Sequence, residues 1–172
     1  MARYRMRQKF FSFGDDYTIQ DDAGRDAFFV DGKVFSIGDK LSLQDMKGNE
    51  LARIHQKLLS IGKTYEITWH GGPAGGTQTA TVQKHLFTLF RAAFTIDVPG
   101  PGDLEAQGNL TDHEYAFTRG GQTVATVSKQ WFSMTDSYGV DIAPGEDDVL
   151  ILASAVVIDL CCHPDQQHHS NT

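Results

Sequence analysis

The chain has 172 residues, a formal net charge of −7, a pI near 5.4 and 40% hydrophobic residues. That length builds one domain with a substantial core. The acid excess argues against nucleic acid or an anionic membrane as the main partner and restricts any such contact to a local patch.

At the N-terminus, charged and apolar residues alternate as in a half-buried strand. Arg3, Arg5, Arg7 and Lys9 fall on one face, with Tyr4, Met6 and Phe10 largely on the other. No continuous apolar region precedes them, so no secretory signal is expected and the simplest location is cytoplasmic. The glycosylation sequon Asn109-Leu110-Thr111 then has no route to its enzyme. The neighbours Cys161 and Cys162 suit a reducing compartment too, since bridging adjacent residues strains a disulfide.

The opening segment YRMRQKFFSF (Tyr4 to Phe13) recurs as ARIHQKLLSI (Ala52 to Ile61), ATVQKHLFTL (Ala80 to Leu89) and ATVSKQWFSM (Ala125 to Met134). Each copy has an apolar third residue, a lysine at the fifth or sixth, apolar seventh and eighth residues, and Ser or Thr at the ninth. Successive starts are 48, 28 and 45 residues apart, which excludes a solenoid of fixed period and points to one unit reused in a closed architecture. Turns such as Gly14-Asp15-Asp16 and Gly62-Lys63-Thr64 lead into a second alternating run, so the unit is a β-hairpin.

Further strand-like runs lie between the copies, with turns at Asp31-Gly32, Gly38-Asp39 and Gly120-Gly121, and loops at residues 71–76 and 99–102. The total is about twelve strands. After Pro144 the pattern breaks. Asp147 to Cys162, DDVLILASAVVIDLCC, is apolar almost all round, begins with acids and is followed by Pro164, as expected of a helix buried on every side. It is shorter than the roughly 20 apolar residues that span a bilayer, so no transmembrane segment is expected. The expected fold is mainly β: a closed barrel of about twelve strands enclosing a hydrophobic C-terminal α-helix. One domain would cover residues 1–162, and the polar tail 163–172 would be disordered.

The runs RQKFFSFGDDYTI, FFVDGKVFSIGDKLSLQD, ARIHQKLLSIGKTYEI and DDVLILASAVVIDL together resemble the LURP-one-related family, within the tubby C-terminal-like superfamily that also includes the phospholipid scramblases. The resemblance spans roughly Met1 to Cys162 and implies a twelve-stranded barrel around a hydrophobic helix. It implies no defined activity. Tubby domains bind phosphoinositides through a basic surface, but no residue-by-residue lipid motif of that type is present in this acidic chain.

Local motifs for chemistry are weak. Gly62-Lys63-Thr64 imitates the end of a phosphate-binding loop, but Lys57 stands where its first glycine belongs, and the segment joins two strands. His70-Gly71-Gly72 imitates an esterase oxyanion loop, but the chain has no G-x-S-x-G elbow. His55, His85 and His113 lie on separate runs without metal-ligand spacing, and His163, His168 and His169 lie on the tail. Cys161 and Cys162 read as inert packing, the aromatics Trp131, Phe132, Phe10, Phe11, Phe28 and Phe29 as core or cross-strand contacts, and the acids Asp15, Asp16, Asp147 and Asp148 as turn and cap residues.

No catalytic residue, cofactor or metal is therefore expected. The chain reads as a non-enzymatic binding or regulatory module with a protein partner and no nucleic-acid partner. Two alternatives are weak binding of an anionic lipid headgroup by Arg3, Arg5, Arg7 and Lys9, and an enzyme with a site outside the known motifs.

Overall fold

The computed structural model describes residues 1–7, 16–32, 39–57, 64–71, 75–88, 91–100, 102–131 and 137–162, with the backbone alone at 7, 17, 39, 40, 86–88, 91 and 92. Lys9, residues 14–15 and 62–63 of the hairpin turns, Gly38, Gly72, Phe10, Phe11, Phe132 and the tail from His163 lie outside the described residues.

Twelve strands follow in chain order: β1 (Ala2–Arg7), β2 (Tyr17–Asp21), β3 (Asp26–Asp31), β4 (Asp39–Asp45), β5 (Glu50–Lys57), β6 (Thr64–His70), β7 (Thr77–Thr88), β8 (Arg91–Asp97), β9 (Leu104–Asn109), β10 (Glu114–Arg119), β11 (Gln122–Ser128) and β12 (Ser137–Ile142). Each pairs antiparallel with its sequence neighbours, and β1 pairs with β12, so the sheet closes into a barrel without an edge. The helix α1 (Asp148–Cys162) follows β12.

Alternation builds the wall. Tyr65, Ile67 and Trp69 of β6 point inward, as do Ala52 and Ile54 of β5, Tyr115 and Phe117 of β10, and Tyr138, Val140 and Ile142 of β12, all buried. Outward neighbours such as Arg53, Glu66, Thr68 and Asp141 are polar, so the wall places apolar area against α1 and charge on the outside. Burial of the helix is almost complete from Leu150 to Asp159. No helix among the described residues is long and apolar enough to cross a membrane.

The four sequence copies begin the hairpins β1–β2, β5–β6, β7–β8 and β11–β12. The odd strands all run the same way in an antiparallel ring of this size, so all four copies run toward the barrel end where α1 finishes. Their uneven spacing now has a cause. The copies 28 residues apart are adjacent hairpins, whereas the intervals of 48 and 45 each contain an intervening hairpin, β3–β4 or β9–β10. Closure brings the first and last copies together through β1 and β12, so two pairs of related hairpins face each other across the barrel.

One close approach fixes the turn after β9. Gly108 lies opposite Tyr115, at φ +139, where an added Cβ would stand 2.7 Å from the Glu114 carbonyl oxygen and the Tyr115 Cα. The turn that follows holds His113 in the left-handed region, at φ 56, uncommon for a residue with a Cβ. Its ring is carried into the core.

Candidate functional site

Three groups of polar side chains stand out, two at the ends of α1 and one on the outer wall. Where α1 enters the barrel, three consecutive acids each accept a hydrogen bond from a different strand. Arg119 of β10 donates to Glu146 at 2.5 Å, Trp69 Nε1 of β6 to Asp147 at 2.9 Å, and the Tyr4 hydroxyl of β1 to Asp148 at 2.6 Å. Asp147 is also the N-cap, its Oδ1 accepting the Leu150 N–H at 3.1 Å. Burial, then the hydrogen bond to Asp148, pushes the Tyr4 phenol well above its ordinary range. The cap role expected for Asp147 is the one observed, but the strand partners could not be read from local pattern.

At the far end of α1, Asp159 is 1% exposed and takes donors on both oxygens. His113 Nε2 lies 2.7 Å from Oδ1, and the Tyr138 hydroxyl donates to Oδ2. The His113 and Tyr138 rings stack at 4.2 Å between centroids. Tyr115 lies beside this network, fully buried, with no hydrogen-bond partner for its hydroxyl among the described residues. Burial foremost, then Asp159 and Cys162, holds its phenol well above the ordinary range. A His–Asp–Tyr group resembles proton-transfer machinery in composition. Here the two oxygens of the buried carboxylate join strand to helix, so the arrangement ties the end of α1 to β12 and the β9–β10 turn.

On the outer wall, Glu50, Ala52, Arg53, Thr68 and His70 line a half-open hollow of about 300 Å³ between β5 and β6. Glu50 Oε2 accepts from Ser42 at 2.8 Å and from Arg53 Nη2 at 3.0 Å. Thr68 shares a hydrogen bond with Thr79 at 3.2 Å, and His70 Nδ1 with Thr77 at 2.9 Å. Every polar side chain of the hollow is thus oriented by a neighbour.

The basic stripe takes a mixed form. Arg3 pairs with Asp141 of β12 at 2.9 Å and lies 4.6 Å from the centre of the Trp131 ring, while Arg5 donates to Gln20 of β2. The backbone of Arg7 pairs with Ser137, and Lys9 lies outside the described residues. The other sequence candidates scatter. His55 and His85 sit on β5 and β7, His70 ends β6, and the Gly71 N–H donates to the Gly76 carbonyl at 3.0 Å. Cys161 is buried and Cys162 half-buried. Among the described residues, no three or more His, Cys, Asp or Glu side chains converge as metal ligands.

The LURP-one-related family profile matches residues 2–159. Over 166 residues the chain is 36% identical to an uncharacterized protein of Bacillus subtilis (strain 168), YxjI, covering 96% of this chain and 97% of that one. An X-ray structure of an Arabidopsis thaliana protein shares the fold at a TM-score of 0.65 and 16% identity, across 92% of this chain and 89% of that one. A profile match over almost the whole length, together with a relative aligned from end to end, shows that the chain belongs to the LURP-one-related family.

Proposed function

We propose that this chain is a non-enzymatic binding or regulatory module of the cytoplasm, of the tubby C-terminal-like and scramblase-related kind, that works through the outer wall of its barrel. The observation carrying this reading is the filled interior. α1 occupies the space where other barrels hold a ligand, and the polar groups at its two ends are spent on holding it. Recognition is left to outward side chains, and the hollow between β5 and β6 gathers an oriented set of them. Affinity purification of the tagged chain, beside a variant with Arg53→Glu and His70→Glu, tests the reading. A protein partner captured by the wild type and lost in the variant supports it. Absence of any specific partner, or turnover in a screen of esters, phosphates and nucleotides, counts against it.

Headgroup binding by β1 draws less support, because Arg3 is committed to Asp141 and Arg5 to Gln20. Sedimentation with anionic liposomes, unchanged on replacing Arg3, Arg5 and Arg7 by Glu, would remove it.

A further inference from the structure

We infer that the barrel opens at its far mouth, where α1 finishes, as two sheets: β9–β12 with β1, which keeps α1, and β2–β8, which swings away. The division follows two ladders that stop short. Among the described residues, β1 and β2 pair only at Tyr4–Asp21 and Arg5–Gln20. Both strands go on, Met6 beside Tyr138 of β12 and Ile19 beside Phe28 of β3, but not beside each other. Elsewhere in the ring, β8 and β9 pair from Ile96–Leu104 to Ala93–Gln107 and then part. Ala92 continues with Leu86 of β7, and Gly108 with Tyr115 of β10. Both gaps lie toward the end where α1 finishes, and both ladders hold nearer its entry.

Each gap has a local cause. Ala27 is an extra residue on β3, between the pairs Ile19–Phe28 and Gln20–Asp26, and this bulge bends β2 where its ladder to β1 stops. Gly108, at φ +139, approaches Tyr115 so closely that a side chain would not fit, which draws β9 toward β10 and away from β8. At the first gap Met6 and Ile19 are fully buried, so apolar packing closes what hydrogen bonds leave open. The holds on α1 differ in the same way. Asp159 fastens its far end to the five-strand sheet through His113 and Tyr138. On the seven-strand sheet α1 lies against β5, β6 and β7, whose inward residues Ile54, Ile67 and Val82 are apolar. Parting the sheets therefore separates packed side chains while most of the ladders stay whole, the pattern of a local rather than a global opening. Cys161 marks the surface that opening bares. It is buried, and after burial itself it is Cys161 that holds the Tyr65 phenol of β6 above its ordinary range, which places this thiol beside the departing sheet.

Alkylation of Cys161 in a Cys162→Ser variant of the full chain, followed by mass spectrometry below the urea transition, tests the opening. Arg5→Cys with Gln20→Cys, and Ala93→Cys with Gln107→Cys, pin the last pair of each ladder when oxidised, since facing residues of antiparallel strands lie within disulfide reach. The two cross-links together should slow labelling at least about tenfold, and reduction should restore it. A cross-link of the uninterrupted β6–β7 ladder, Thr68→Cys with Thr79→Cys, should leave the rate near that of the parent. Hydrogen exchange of the unsubstituted chain gives a second reading. The amides of Arg5, Gln20, Ala93 and Gln107 should show a smaller urea dependence than those of Ile67 and Ala80. Labelling that ignores both cross-links, is slowed as much by the control, or occurs only with global unfolding would overturn the proposal, as would one urea dependence shared by all these amides. Partner capture by the outer wall is a separate measurement, and its outcome leaves this one standing.

Discussion

The two ends of α1 are fastened by the same chemistry in different surroundings. At the entry, Glu146, Asp147 and Asp148 divide the work among Arg119, Trp69 and Tyr4, side chains from three strands, at a rim that water reaches. At the far end, one carboxylate takes a donor on each oxygen from residues with no exposed surface, His113 and Tyr138. Entry is therefore redundant, and a lost contact there is partly repaired by solvent. Among the described residues the far end has one acceptor, in a low-dielectric interior where an unmet donor is costly.

This comparison ranks the consequences of mutation. Asp159→Ala removes the acceptor of two buried groups and should cost about 3–5 kcal/mol of unfolding free energy, measured by urea denaturation. Asp147→Ala deletes the helix cap and the Trp69 partner, and should cost about 2 kcal/mol. If Asp147→Ala proved as damaging as Asp159→Ala, the contrast between a redundant end and an indispensable one would fail.

Part of this was legible in the residues. Acids ahead of an apolar run announce a cap, and a helix without a polar face announces its own burial, so α1 and its enclosing barrel followed from local pattern. Asp159 could be read only as a polar residue near the end of the run. Its partners are 46 and 21 residues away in sequence and meet it only in the folded barrel. Arg3 finds Asp141 across 138 residues for the same reason. The hollow was hidden differently, since Glu50 and Arg53 share a face only through a bulge that strand periodicity does not encode. Four related hairpins were visible as a repeat, and their uneven intervals became intelligible once the two intervening hairpins were placed.

A smaller effect separates two tyrosines of the far end. Tyr138→Phe deletes a buried hydrogen bond to Asp159 and should cost about 1.5 kcal/mol, the lower range for a bond to a charged group. Tyr115→Phe removes a buried hydroxyl that has no partner among the described residues, and should leave stability unchanged or slightly raised. Equal losses in the two variants, compared by thermal melting, would show that Tyr115 is as engaged as Tyr138.

The smallest effect belongs to the turns at the entry end, through acid. Asp21 Oδ1 accepts the Ala23 and Arg25 N–H groups at 3.0 and 2.9 Å, and Asp45 Oδ1 repeats the arrangement with Lys47 and Asn49 at 2.8 and 2.9 Å. Hydrogen bonding holds both carboxyls below their ordinary range, chiefly from the Arg25 backbone for Asp21 and the Asn49 side chain for Asp45. A depressed folded value means that each contribution is complete above the unfolded carboxylate's titration and is lost as pH falls through the lower, folded one. The double variant Asp21→Asn with Asp45→Asn should therefore flatten the acid limb of the Tm profile and leave its neutral portion nearly parallel to that of the parent. Both groups lie half-buried at the surface, so the change should be slight beside that of Asp159→Ala. An acid limb identical in parent and variant would show that these turns, for all their hydrogen bonds, take no share in fastening the end at which α1 enters.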